Sequence, residues 1–140
     1  MSDRFFLDTN VLVHAYDKHE RKKQARAQSI LKAAIQDESG CLSAQVLGEF
    51  FTVVTRKIEE PLTAREAEAV IQLLSILPVQ EIDRVLVQQA IRTHERYGIS
   101  YWDSLIVAAA VASGCEQVHS EDLKDGETYN GVRIVNPFKD

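Results

Sequence analysis

Four carboxylates in this 140-residue sequence stand where side chains can do chemistry: Asp8, Glu49, Asp103 and Asp122. Asp8 directly follows the apolar run Phe5-Phe6-Leu7, and Asp122 follows Gln117-Val118-His119-Ser120, so both fall at the carboxyl ends of expected strands. Val46, Glu49, Phe50 and Val53 obey the i, i+3, i+4, i+7 rule of one helix face, which puts the Glu49 carboxylate on or beside a buried stripe. Burying a carboxylate without a partner is costly, so a cation or a dense set of hydrogen bonds is expected there. Asp103 occupies the first turn of a helix that Ser100 would cap. Gathered in one crevice, such acids repel one another unless a hard divalent cation sits among them. Oxygen ligands suit Mg²⁺ or Mn²⁺, and the chemistry they serve is phosphoryl transfer by metal-activated water.

Each acid also has an ordinary structural reading. Asp8 and Asp122 fit turn or capping aspartates. Glu49 fits a salt bridge at the edge of its stripe. Asp103 completes the loose capping-box pattern Ser100-Tyr101-Trp102-Asp103, where the helix dipole also favours an anion. Other chemistries lack their residues: there is no G-x-S-x-G elbow, Walker lysine loop or HExxH, and neither cysteine has a plausible catalytic histidine. A phosphoaspartyl mechanism at Asp8 would want a second aspartate two residues on, and position 10 is Asn. His14, His19, His94 and His119 show no metal-ligand spacing and are read as structural or surface residues.

The elements that must position these acids alternate in type. A strand at 5–7 leads through a turn into a helix capped by Asn10 and starting at Val11. A helix over 20–38 carries Ala27, Ile30, Leu31 and Ala34 on one face, with Gly40 as its stop. A strand at 41–43 and a helix at 44–56 follow. Thr63-Ala64-Arg65-Glu66 opens a helix with Ala67, Val70, Ile71 and Leu74 inward, and Pro78 prevents its continuation. A strand at 78–82 precedes a helix that Asp83 caps and Gly98 ends. The helix at 101–112 is apolar almost all round and is expected to be buried centrally. A strand at 117–120, a turn-rich stretch to Asn130 and a last strand at 132–135 complete the chain. This alternation indicates an α/β fold with a mainly parallel sheet between helical layers, in a single domain over 1–140. Ligands of such sheets bind outside the carboxyl ends of the strands, where strand order reverses.

Composition sets the outer limits. Acids outnumber bases 21 to 16, a net charge of −5, which argues against holding nucleic acid by bulk positive charge but not against a nuclease. Cys41 and Cys115 are too few and too far apart in sequence for a disulfide framework or zinc site, so a reducing, cytoplasmic location is expected. The amino terminus has only three apolar residues in a row and no signal-peptide core. The longest apolar run, 105–112, is far short of the roughly 20 residues of a membrane span. Between Lys18 and Lys32 six basic residues face one acid, Glu20. Arg21, Lys22 and Lys23 there either steer a nucleic-acid backbone or form a solvated helix face. Tyr101 and Trp102 either stack on a base beside the acids or belong to the core.

Leu7-Asp8-Thr9-Asn10-Val11-Leu12, Glu49 in a helix after a short strand, Trp102 through Ala110, and Ser120-Glu121-Asp122-Leu123 resemble, in order, the successive motifs of the PIN domain family. The closing Gly131 to Phe138 resembles the end of bacterial members, and the length is similar to VapC, the toxin of bacterial toxin-antitoxin pairs. The resemblance implies a PIN-like three-layer fold and a Mg²⁺- or Mn²⁺-dependent endoribonuclease. Asp8 and Asp103 would be the firmest metal ligands, Asp122 would help complete the shell, and Glu49 would bind metal or orient water. Asp125, in the same loop, is the alternative to Asp122. Thr9 and Ser120 would support the site by hydrogen bonding or serve simple turns. The implied partners are an RNA substrate, tRNA or mRNA, a small VapB-like antitoxin and a second copy in a homodimer. The rivals are a catalytically silent binding or regulatory module and a flap-type DNA nuclease, for which the chain lacks substrate-clamping additions.

Overall fold

A computed structural model of the chain describes residues 3–139. The first strand, β1 (Phe5–Leu7), is followed by α1 (Thr9–His14), α2 (Arg21–Gln36), β2 (Gly40–Ser43), α3 (Ala44–Val54), α4 (Ala64–Leu74) and β3 (Val79–Gln80). Then come α5 (Arg84–Tyr97), α6 (Tyr101–Ala112), β4 (Gln117–His119), β5 (Thr128–Tyr129) and β6 (Val132–Val135). The six strands form one sheet in the order β3-β2-β1-β4-β6-β5, parallel except for β5. The expected α/β class, with helices flanking a mainly parallel sheet, is what the chain adopts.

The chain builds outward from β1 to β2 and β3 on one side, then crosses to place β4 on the other. Strand order therefore reverses between β1 and β4, whose carboxyl ends carry Asp8 and Ser120. The ladder runs one bond past β1, with Asp8 N–H donating to His119 O at 3.0 Å, which fixes the two ends side by side. Phe6 and Leu7 of β1 and Val118 of β4 are fully buried beneath them. Helix α6, buried without interruption from Ser104 to Ala110, packs along α5 and lies against β2, β4 and β6, as its all-round apolar sequence requires.

Several local expectations shift. Asp8, not Asn10, is the N-cap of α1, its carboxylate accepting from Thr9 N–H, so the helix starts two residues early. Helix α2 stops at Gln36, and Gly40 is a strand residue instead of its stop. A Cβ at Gly40 would lie 2.7 Å from that of Ala34, so glycine lets α2 close on β2. Helix α3 ends at Val54, short of Arg56, and β3 has only two residues. The stretch read as turn-rich contains β5, joined to β6 by Asn130-Gly131, both with positive φ, at 51° and 83°. That pair is the hairpin turn whose backbone matches the twist of antiparallel strands. Cys41 and Cys115 are free, buried thiols that the fold brings close enough to influence each other despite their separation in sequence. Among the described residues no helix is long and apolar enough to cross a membrane.

Candidate active site

Asp8 is the most deeply set of the four acids, only 7% exposed. Its Oδ1 accepts the Thr9 amide at 2.8 Å, and its Oδ2 accepts the Ser120 hydroxyl at 2.7 Å and the Asn10 amide at 3.4 Å. Burial nevertheless dominates and pushes its pKa up to about 6; the Ser120 and Thr9 bonds pull the other way, and the charges of Asp122 and Glu49 add to the rise. The capping reading and the site reading are both true of Asp8, because capping α1 aims the carboxylate out of the end of β1.

Asp122 stands opposite, after β4. Asn10 Nδ2 reaches its Oδ2 at 3.3 Å and the Ser120 hydroxyl at 3.3 Å, while Asn10 Oδ1 accepts the Glu121 amide at 3.0 Å. The Ser120 oxygen also accepts the amides of Asp122 and Leu123, both at 3.1 Å. Ser120 and Asn10 thus hold the two acid-bearing strand ends together. Sequence reading assigned Asn10 to a helix cap; its place two residues after Asp8 was the available signal.

Glu49 projects from α3, half-buried, with Oε1 accepting the Thr9 hydroxyl at 2.6 Å and Oε2 accepting from Gln45 Nε2 at 3.3 Å. These are the dense hydrogen bonds its helical position called for. Gln45, one turn earlier, was not singled out from sequence; its Nε2 also donates to Trp102 O at 3.2 Å, tying α3 to the start of α6. Asp103 sits in that first turn. The Ser100 hydroxyl accepts its amide at 3.1 Å, but among the described residues its carboxylate makes no return bond. Burial raises the Asp103 pKa, against the Ser100 bond, and Asp122 and Glu49 raise it further.

The neighbouring acids are committed elsewhere. Glu121 pairs with Lys23, and with His14 at 2.9 Å. Asp125 accepts the Asn136 amide at 2.8 Å and faces Lys139 at 3.4 Å, holding the carboxyl-terminal segment and keeping its pKa below the usual carboxylate range. The cationic stretch is likewise partly spent: Lys18 pairs with Glu60 at 3.6 Å, Lys23 with Glu121, and Arg26 Nη1 donates to Pro137 O at 2.8 Å. The histidines take structural or surface places, with His19 and His94 exposed and His119 stacked on Phe5 at 4.5 Å and held down to a pKa of about 4 by burial. Trp102 departs from the core reading, its side chain lying at the surface.

Among the described residues none of Asp8, Glu49, Asp103 and Asp122 is in an ion pair, and no three His, Cys, Asp or Glu side chains already converge as a metal cage. Glu49 and Asp122 are close enough to act on both Asp8 and Asp103. Oxygen donors that repel in this way, with no cationic side chain paired to them among the described residues, fit a hard divalent ion, which would offset the repulsion. Setting these four aside leaves the chain's acids and bases nearly balanced. A cleft of about 420 Å³ opens over Glu49 and Asp122, walled by Thr9, Asn10, Val13 and Thr52.

Residues 5–124 match the family model described as PIN domain. No protein of curated function matches the chain. Among solved structures, Mycobacterium tuberculosis VapC20, described as a sarcin-ricin loop cleaving toxin, is similar at 21% identity over 92% of this chain and 98% of its own, with a TM-score of 0.66. A toxin-antitoxin complex from Klebsiella pneumoniae aligns at 18% identity, covering 94% and 96%, with a TM-score of 0.69. DNA-bound VapBC from Salmonella typhimurium aligns at 22% identity, covering 96% and 97%, with a TM-score of 0.64.

Proposed function

The chain belongs to the PIN domain family, and on that premise we propose that it is a Mg²⁺- or Mn²⁺-dependent endoribonuclease, the toxin of a type II toxin-antitoxin pair. The observation that carries this reading is Asp8: a carboxylate buried at the strand-order reversal, raised to about pKa 6, with Glu49 and Asp122 close enough to raise it and, among the described residues, no cationic partner. The hydrogen bonds from Thr9, Ser120 and Asn10 account for its place as a cap, and they leave its burial beside two other acids uncompensated by positive charge.

Asp8, Asp103 and Asp122 are the residues that would hold the metal, with Glu49 binding it or orienting water. A bound divalent ion supplies Lewis-acid stabilisation of the phosphoryl oxygens and lowers the pKa of water. In this reading Glu49, which accepts hydrogen bonds from Thr9 and Gln45, takes a proton from the attacking water. Water attacks phosphorus as the bond to the leaving ribose oxygen breaks, and that oxygen takes up a proton. Because water and not the ribose 2′-hydroxyl is the nucleophile, the products carry a phosphate monoester and no 2′,3′-cyclic phosphate.

The partners assigned with this reading are a tRNA or mRNA substrate, a small VapB-like antitoxin and a second copy of the chain, in the cytoplasm; the toxin-antitoxin assemblies among its structural neighbours support the antitoxin. The test is metal-dependent cleavage of RNA by the purified chain, with the ends mapped. Cleavage that survives chelation, or that persists in folded Asp8→Asn and Asp103→Asn variants, would overturn the assignment.

A further inference from the structure

Trp102 is 62% exposed although it directly precedes Asp103 in a helix whose next turns are buried throughout. Its ring meets Tyr101 edge to face, with centroids 5.0 Å apart at 75°, so one side of the indole is braced by a half-buried aromatic. Its backbone is equally fixed: Gln45 Nε2 donates to Trp102 O at 3.2 Å and to Glu49 Oε2 at 3.3 Å. Gln45 is only 9% exposed, and one buried amide therefore registers the indole's attachment point against a site carboxylate. We propose that Trp102 is a stacking platform for an unpaired nucleobase next to the scissile phosphate, which makes the substrate a single-stranded or looped segment of RNA. The choice of RNA as the occupant rests on the ribonuclease reading above.

The physical argument is one of shape and charge. In a net-negative chain with an acidic site, contact with the uncharged part of a nucleotide adds binding that does not depend on phosphate charge, and every base has a π-face for an aromatic to hold. In a duplex those faces are already stacked on each other, so only unpaired bases are available. The Trp102 backbone, tied through Gln45 to Glu49, fixes where the indole leaves the helix, so a base held on it adds binding beside the acids.

Trp102 is the only tryptophan in the chain, so fluorescence excited on the red edge, where the tyrosines do not absorb, reports on it alone. Asp8→Asn protein in Mg²⁺ is titrated with a single-stranded oligoribonucleotide, an abasic chain of equal length, and a perfect duplex. Quenching by the base-bearing strand, with little from the other two, is expected. In the otherwise wild-type enzyme, Trp102→Ala is expected to raise KM for single-stranded RNA about tenfold with kcat nearly unchanged, and Trp102→Phe to restore most of the loss. Equal quenching by the abasic chain, an unaltered KM in Trp102→Ala, or quenching only by a co-purified protein partner would each overturn the proposal. The two readings fail differently: cleavage with an unaltered Trp102→Ala removes the platform alone, whereas base-dependent quenching without cleavage removes the nuclease alone.

Discussion

The hydroxyl of Ser120 donates to Asp8 Oδ2 at 2.7 Å while its oxygen receives the amide of Asp122, so one buried serine joins the acid after β1 to the acid after β4. This bond favours the charged form of Asp8 and is the largest influence opposing burial. Ser120→Ala should therefore raise the Asp8 pKa above about 6, move the acid limb of the pH-rate profile to higher pH, and lower cleavage by about 10- to 100-fold. An unmoved limb in a folded variant would show that Ser120 serves only the turn.

Removing the charge at Asp8 should separate stability from activity. A carboxyl raised from 3.8 to about 6 on folding costs stability as pH rises through that window, at most about 3 kcal/mol by pH 7. Asp8→Asn should abolish cleavage, by at least about 100-fold, yet melt higher than wild type in chelator at neutral pH. A lower melting temperature would mean that the lost hydrogen bonds outweigh the relieved burial of charge.

His119 contributes the opposite slope. Its pKa falls from 6.5 to about 4 on folding, so the stability of keeping it neutral is present above pH 6.5 and drains away as pH drops toward 4. His119→Phe, which can keep the stack on Phe5, should flatten the acid side of a melting-temperature profile, and Asp8→Asn should steepen it. Identical profiles for both variants and wild type would remove both assignments.

Divalent ions should raise the melting temperature of wild-type protein, since a ligand at free concentration L that binds only the folded state stabilises it by RT ln(1 + L/Kd). The shift with Mg²⁺ or Mn²⁺ should shrink sharply in Asp8→Asn and Asp103→Asn. An equal shift in all three proteins would place the ion elsewhere.

Asp122 and Asp125 should behave differently although they share a loop. Asp122→Asn is expected to lose cleavage by about 10- to 100-fold. Asp125→Asn should keep cleavage near wild type and lose some stability, because that carboxylate is engaged with Asn136 and Lys139. Rates for the two variants decide between them directly.

Local pattern was enough to reveal the alternation of strands and helices, the capping box at Thr63 and Glu66, the stop at Gly98 and the burial of α6, because each depends on neighbours within a turn or two. It was also enough to nominate the four acids, since a strand end or helix face can be recognised without knowing what lies across it. The two-residue β5 escaped because so short a strand has almost no periodicity, even with Asn130-Gly131 marking its turn. What needed the tertiary structure was every decision between like residues. Glu121 and Asp122 are adjacent and both acidic, but β4 ends so that one meets Lys23 and His14 while the other meets Asn10. The apolar neighbours of Trp102 suggested a core residue, and only the packing of α6 on α5 and the sheet turned it outward. Residue type and spacing determine which groups can do chemistry; whether a carboxylate finds a lysine, an amide or another carboxylate depends on chain segments up to 112 residues apart in sequence, which meet only when the sheet assembles.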